Sequence, residues 1–418
     1  MQNLYNIFVS LMVFAIKIGA AFSYKLKRGL AGRRQSNAIV QHHFQPTDQV
    51  IWMHAASLGE YEQGLPVLEK LKSHLPQHKI LITFFSPSGY ENVVKKNTVA
   101  DAICYLPFDL NNAVVDFTSH FQTEIFITVK YEYWYNLLSH LKSKNVKIYV
   151  ISALFYEKQA FFQPYGQWFT EKLRSTVTRF FHQSNHSYAL AKTIRLDQST
   201  IAGDTRFDRV KHIRQRDNHV EYIEAFKNGK KVMVIGSSWE AEDKIAANIA
   251  ARNKTWKIII APHDLKRVQQ LTDQFPHAVL YSRLLDGGTL RSDAQVMIID
   301  CIGLLSKIYS YGDAAIVGGG FHDKGLHNIL EAAVYGIPVF FGNHYTKNPE
   351  ADGLVNVFGG KSFEDEYLAA EYLLTILPDE QKLLEMGKNA ENFVESQPDA
   401  TEIIVRGILA DRQNSAVS

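Results

Sequence analysis

The chain has 418 residues and a mass of 47.5 kDa, room for two or three domains at roughly 100–200 residues each, two being the simplest count. Hydrophobic residues at 46% and charged residues at 21% exclude a disordered, collagen-like or disulfide-scaffold protein, and the two cysteines, Cys104 and Cys301, fit a reducing compartment and supply no metal framework. The formal net charge of +2 excludes nucleic-acid binding through bulk positive charge, so any anionic ligand must be met by local clusters.

From Leu4 to Tyr24 the chain is apolar apart from a few polar residues. No acidic residue occurs before Asp48, whereas Lys17, Lys25, Lys27, Arg28, Arg33 and Arg34 all fall in that stretch. A secretory signal carries its positive charges ahead of the apolar run, and here they follow it. The run is long enough to span a bilayer, but Lys17 would be costly inside one. Asn3, Asn6, Ser10 and Lys17 share one helical face, a narrow polar stripe that suits a helix lying in the interface with the basic run on anionic lipid. A core helix of a soluble domain is the plainer alternative. The positive flank puts the rest of the chain in the cytoplasm.

Beyond Pro46, short apolar runs alternate with amphipathic stretches. Val50–His54, Ile80–Phe85, Ala102–Leu106, Ile125–Val129 and Val146–Ile151 read as buried strands. Between them Tyr61–Leu75, Tyr90–Lys96, Ala113–His120 and Leu137–Lys144 read as helices. This alternation predicts βαβ units and a parallel sheet. A polar stretch between about Phe207 and Val220 reads as a link. The alternation then restarts with strands at Lys231–Gly236, Lys257–Ala261, Ala278–Tyr281, Val296–Asp300, Ala314–Val317 and Pro338–Phe341. Helices follow at Ala241–Arg252, Leu265–Gln274, Leu304–Tyr311 and Ile329–Tyr335, and Ala410–Ser418 reads as a loose polar tail. Two Rossmann-like domains facing across a cleft would bind ligands at the C-terminal ends of their strands.

The phosphate-loop, nucleophile-elbow and G-x-G-x-x-G signatures are absent, and no aspartate pair at a strand end suggests a metal beside a diphosphate. Four segments carry candidate chemistry. In Met53–Glu60 a strand runs through small residues into a helix, so Glu60 either takes a proton from an attacking hydroxyl or complements the helix dipole. Val129–Asn136 places charges among aromatics after a strand, either cleft-directed or an aromatic cap under a loop. In Gly203–Asp208, Arg206 either grips an anion or pairs with Asp204 or Asp208. Gly318–Ala333 is a glycine-rich loop with His and Lys leading into a helix whose free N–H groups favour a phosphate. There Glu331 could bond ribose hydroxyls, and the Asn328-x-x-Glu331 spacing also reads as a capping pair.

These segments, in this order, resemble the 3-deoxy-D-manno-octulosonic acid (Kdo) transferases of lipopolysaccharide assembly. The likeness runs over nearly the whole chain and includes Ser86-Pro87-Ser88-Gly89, Tyr105–Leu110 and Gly236–Glu242. It implies an α/β GT-B glycosyltransferase fold with an N-terminal membrane-associated helix, on the cytoplasmic face of the cell inner membrane, and no metal or other cofactor. It further implies an inverting transferase with CMP-Kdo as donor and lipid IVA, a lipid A precursor, as acceptor. The domains then read as a membrane-anchoring helix over 1–24, an acceptor domain over 25–209 and a CMP-sugar domain with a tail over 210–418. By position Glu60 matches the family's general base. Arg206 falls at a basic, transition-state-stabilising position. Lys130 stands where the family's Glu-Thr-Glu-Leu-Trp-Pro-Asn motif has its first glutamate, Glu132 keeps the second, and Tyr135 replaces the proline. CMP contacts map onto Pro262, His263, Ile302, Gly303, Leu304, Asn328, Ile329, Leu330 and Glu331, with His263 and Leu304 departing from the usual Arg and Glu. Lys130 would join Arg206 in offsetting negative charge. Two rivals are a GT-B-like sugar-nucleotide epimerase and a non-catalytic nucleotide-binding protein of the membrane surface.

Overall fold

The computed structural model describes residues 2–95, 99–346 and 348–416. Its strands form where β-branched and aromatic residues run together, because such side chains pack well on a pleated surface. In the first half these are β1 Gln49–Ala55, β2 Lys79–Phe84, β3 Ala102–Tyr105, β4 Gln122–Val129, β5 Lys147–Ala153, β6 Arg179–His182 and β7 Ser199–Ile201. In the second half they are β8 Val232–Ser238, β9 Lys257–Pro262, β10 Val279–Leu280, β11 Val296–Ile298, β12 Ala314–Val317, β13 Val339–Gly342 and β14 Gly360–Phe363. The first seven form one sheet in the order β3-β2-β1-β4-β5-β6-β7, and the rest a second in the order β10-β11-β9-β8-β12-β13-β14. Every adjacent pair is parallel, with Ile51 opposite both Ile80 and Ile125 in the first sheet and Val234 opposite Ile259 and Ala315 in the second. Helices cover both faces, so the central strands are buried on both sides, which is why they read as continuous apolar runs.

In each sheet the strand order reverses once, between β1 and β4 and between β8 and β12. The crevice outside the carboxyl ends at such a switch point is where open α/β sheets bind ligands. The fold therefore singles out the loops after β1, β4, β8 and β12. The strands at β6, β7 and β14 have no counterpart in the sequence reading, since they are short and carry polar residues. Of the predicted helix Tyr90–Lys96, the structure forms Pro87–Val93, and Lys96 lies outside the described residues.

Two compact units result: residues 1–209 with 398–418, and residues 210–397. The polar link contains a helix, Thr205–Gln215, which has no apolar stripe to reveal it. The loose tail is also corrected. A helix spans Ala400–Ala416 and buries Ile404, Val405 and Ile408 beside Leu68 and Leu71 in the core of the first unit. Asp208 accepts from the Thr401 N–H and hydroxyl at 2.7 Å, and Arg179 pairs with Asp411 at 2.5 Å. Residues 417–418 lie outside the described part.

At the N-terminus, the helix Gln2–Gly19 turns into a second helix, Tyr24–His43. Val9 and Val13 are buried, and Tyr5 and Asn6 hydrogen-bond to the first unit, so one face is seated on protein. The other face exposes Leu4, Ile7, Phe8, Leu11, Phe14 and Ile18. Asn3, Ser10 and Lys17 run between the two faces, and Asn6, on the protein side of the same stripe, bonds Asn136. The basic run is divided in function. Arg33 donates to the Leu106 carbonyl at 3.1 Å and the Phe85 carbonyl at 2.7 Å and lies over the Phe85 and Phe108 rings. Burial pushes its pKa down to about 10. Arg28 pairs with Glu91 at 3.0 Å. Lys25, Lys27 and Arg34 are exposed.

Candidate active site

Glu60 sits in the first turn of the helix Leu58–His74, just past the end of β1. It is 6% exposed, and its Oε2 accepts from the Ala56 N–H at 2.5 Å, which folds the side chain back over the strand-to-helix turn. Burial pushes its pKa above the ordinary carboxylate range, while the Ala56 N–H and the Lys130 charge pull it down. Lys130 follows β4 with φ at 63°, a left-handed conformation that costs a β-carbon-bearing residue about 1 kcal/mol. Its N–H donates to the Ile151 carbonyl at 2.9 Å, and its carbonyl accepts from the Tyr133 hydroxyl at 3.0 Å, so the strained turn is pinned on both sides.

Glu132, two residues on, is pushed up to about 7 by burial and by the Glu60 charge. Its main-chain carbonyl accepts from the Thr128 hydroxyl at 2.9 Å. Behind it lies His54, fully buried on β1, with Nδ1 3.1 Å from the Thr83 carbonyl and Nε2 4.0 Å from Glu132 Oε2. Burial pushes the imidazole down to about 3, so it is neutral and no ion pair forms. The structure thus groups Glu60, Lys130 and Glu132 at the first switch point, with His54 beneath.

Arg206 takes a different environment. Its Nε and a terminal nitrogen both donate to Asp204 Oδ2, at 2.9 and 2.6 Å, and its N–H donates to Asp204 Oδ1 at 3.0 Å. The paired reading of this residue therefore describes its geometry. Its helix is joined to the Glu60 helix by Thr205, whose hydroxyl donates to the Gln63 carbonyl at 2.7 Å, and by the Arg209–Glu62 pair at 2.5 Å.

In the second unit Trp239 is the hub. It follows β8, stacks on His263 at 4.5 Å, meets the edge of His322 at 4.8 Å and lies under the Lys324 ammonium at 4.0 Å. His263 in turn touches His327 at 4.7 Å. Glu242, fully buried, accepts from the Trp239 N–H at 2.9 Å and the Gly319 N–H at 3.0 Å, fastening the β8 turn to the glycine loop after β12. The glycines permit close backbone contact: a β-carbon on Gly318 would stand 2.1 Å from the Ser237 carbonyl oxygen, and one on Gly320 2.6 Å from that of Gly342. Burial, then His263 and His322, push His327 down to about 4, so that imidazole is neutral near pH 7, while Lys324 brings an ammonium to this loop.

Pro262, His263, Ile302 and Gly303 line one pocket of about 420 Å³, and Leu305 rather than Leu304 completes that wall. Ring contact between His263 and His327 connects this wall to Asn328–Glu331. The expected Ile329–Tyr335 helix is only Leu330–Ala333, too short for a useful dipole. Ile329 and Leu330 are buried, and the Leu330 N–H already donates to Asn328 Oδ1 at 3.1 Å. Asn328 also donates to Glu331 at 3.3 Å, so both side chains are engaged with each other within the loop. Trp239, Glu242, Lys324 and His327 carry this arrangement without having been given site roles from sequence. Their common feature, placement just after β8 and β12, needs the strand order to be seen.

Residues 28–209 match the family model described as 3-deoxy-D-manno-octulosonic-acid transferase. The 3-deoxy-D-manno-octulosonic acid transferase of Haemophilus influenzae is 26% identical over 320 residues, covering 73% of each chain. That of Aquifex aeolicus is 26% identical over 304 residues, 71% of this chain and 77% of its own. A bifunctional glycosyltransferase/methyltransferase of Fusobacterium nucleatum is 27% identical over 72% of this chain, which spans about half (48%) of that relative. Among solved structures, the UDP-GlcNAc 2-epimerase of Neisseria meningitidis bound to UDP-GlcNAc superposes with a TM-score of 0.57 at 15% identity, over 87% of this chain and 100% of that one. The last is a likeness of fold alone, and the fold is of the GT-B type.

Proposed function

We propose that this chain, a relative of the Kdo transferases over most of its length, transfers Kdo from CMP-Kdo to a hydroxyl of lipid IVA, with inversion and without a metal. The observation that supports the reading best is Glu60, a buried carboxylate whose proton affinity is raised, beside Lys130 at a switch point. A base with a pKa lifted toward neutrality binds the proton it removes more firmly than an exposed carboxylate does. In the proposed step the acceptor oxygen attacks the anomeric carbon while its proton passes to Glu60. The bond from that carbon to the phosphate oxygen breaks, and CMP departs with the electron pair.

Lys130 keeps Glu60 ionised in the resting enzyme and offsets the carboxylate of the sugar. Arg206, released from or shared with Asp204, is the second cation for this charge. In the other unit, the pocket wall of Pro262, His263, Ile302 and Gly303 suits the nucleoside, and Lys324 suits the phosphate as negative charge develops on it. Leu304, Asn328, Ile329, Leu330 and Glu331 then shape the wall, chiefly by packing and by their own hydrogen bonds. The N-terminal helix lies in the interface of the inner membrane on its cytoplasmic side, with Lys25, Lys27 and Arg34 toward anionic headgroups.

The test is to incubate the purified chain with fresh CMP-Kdo and lipid IVA and weigh the lipid product by mass spectrometry. Glu60→Gln should lose transfer while CMP binding persists. Full activity in that variant removes Glu60 from the mechanism. A parallel incubation with UDP-GlcNAc that yields its epimer, with no heavier lipid formed in the first, would favour the epimerase reading instead.

A further inference from the structure

The segment that carries Lys130 and Glu132 is held from an unexpected direction. It runs from the end of β4 into the helix Tyr135–Ser143, whose first N–H groups are capped from outside the helix. Asp109, buried in the loop after β3, accepts from the Asn136 N–H at 2.9 Å and the Leu137 N–H at 2.8 Å. The Asn136 side chain returns a bond to the Asp109 carbonyl at 2.6 Å. The last two links come from the N-terminal helix. The Tyr5 hydroxyl donates to Asp109 Oδ2 at 2.7 Å and accepts from the Tyr135 N–H at 3.2 Å, while Asn6 Oδ1 accepts from the Asn136 amide at 2.8 Å. The Tyr5 ring packs against Tyr135 at 5.3 Å and Trp168 at 6.5 Å. A buried carboxylate and two helix-start N–H groups are thus completed by a side chain 104 residues away in sequence from Asp109.

We propose that the N-terminal helix is a strut for the 130–136 segment as well as an anchor, and that Tyr5 is its positioning residue. A plain tether has no need of buried polar bonds to a loop at the ligand-binding end of the sheet. A chain of such bonds instead fixes the origin of the turn from which Lys130 faces Glu60. The two faces of the helix divide the work: Tyr5, Asn6, Val9 and Val13 meet the protein, and the apolar face opposite is left for lipid.

The experiment uses the full chain with Tyr5→Phe, which keeps the ring and removes the hydroxyl, and Asn6→Ala as a second, independent cut. Hydrogen exchange is read on the amides of residues 131–137, and binding to vesicles of mixed neutral and anionic phospholipid is measured alongside. Both variants should exchange at least about tenfold faster over this segment, with vesicle binding unchanged. Phe8→Asp, on the opposite face, should lose vesicle binding and keep wild-type exchange. Wild-type exchange in Tyr5→Phe, or equal loosening in Phe8→Asp, overturns the proposal. A second arm rests on the Kdo-transfer reading. In Tyr5→Phe, kcat should fall about tenfold with the KM for CMP-Kdo unchanged. The acid limb of kcat should also move to higher pH, as it would if the Lys130 charge were drawn away from Glu60. An acid limb that stays in place reduces Tyr5 to a structural role and also overturns the proposal. Absence of transfer in the wild-type chain would sink the functional reading and leave the exchange result to decide this one.

Discussion

At the scale of single residues, the first unit's cluster is governed by which carboxylate ionises first. Glu60 has Lys130 and the Ala56 N–H to stabilise its charge, whereas Glu132 has Glu60 to oppose it. Glu60 is therefore the more readily ionised of the two and Glu132 the reluctant one. Lys130→Met removes the stabilising charge and should move the acid limb of kcat/KM upward by about one pH unit, read from a pH profile of transfer. Glu132 also leaves a mark on stability. Its folded-state value of about 7 lies above the ordinary 4.5, so the folded protein holds a proton that the unfolded chain has released. Stability from this group is thus full below about pH 4 and is lost as pH rises toward and past 7, by about 3 kcal/mol. Glu132→Gln cannot ionise, so its melting temperature relative to wild type should climb between pH 5 and pH 8. A difference that stays flat with pH would show that Glu132 is not the reluctant acid.

At the scale of elements, Glu242 and the C-terminal helix make separable contributions. Glu242→Ala strands the Trp239 and Gly319 N–H groups in a buried turn and should cost about 2–4 kcal/mol, with nucleotide affinity falling alongside stability in a denaturant titration. Ile404→Ala hollows the core of the other unit and should cost about 2–4 kcal/mol without touching nucleotide affinity. Such elements were unevenly legible in the sequence. Ile80–Phe85 and Lys257–Ala261 announce themselves because a doubly covered parallel strand must be apolar throughout. Ser199–Ile201 and Gly360–Phe363 lie at sheet edges, where short polar strands suffice. The Glu60 and Lys130 turns were legible as charges placed after apolar runs. Trp239 was not, because His263, His322 and Lys324 reach it from segments far apart in the chain. Arg206 read equally well as ligand or partner, and its two-point grip on Asp204 is a fact of rotamers that spacing does not contain.

At the scale of the whole molecule, the near-neutral net charge of +2 means that attraction to an anionic surface cannot come from the protein as a body. It must come from the few cations beside the apolar helix face, and the fold has already claimed part of that set. Arg33 is fastened under aromatic rings with two carbonyls as acceptors, and Arg28, though exposed, is paired with Glu91, so among the described residues Lys25, Lys27 and Arg34 remain as the exposed cations of the run outside any ion pair. At about 1 kcal/mol per lysine near an anionic leaflet, replacing Lys25 and Lys27 by alanine should weaken vesicle binding by about 2 kcal/mol, roughly thirtyfold. The loss should shrink as salt screens the headgroups, and melting should be unchanged. Arg33→Ala should behave in the opposite way. It unpairs the Leu106 and Phe85 carbonyls, lowering stability by about 2–4 kcal/mol with little effect on vesicle partition. Sedimentation with vesicles and thermal melts on the same two variants separate these outcomes. If Arg33→Ala detached the folded protein while the lysine pair did not, the buried guanidinium would have to leave its aromatic seat at the bilayer, and the division of labour within the basic run would be wrong.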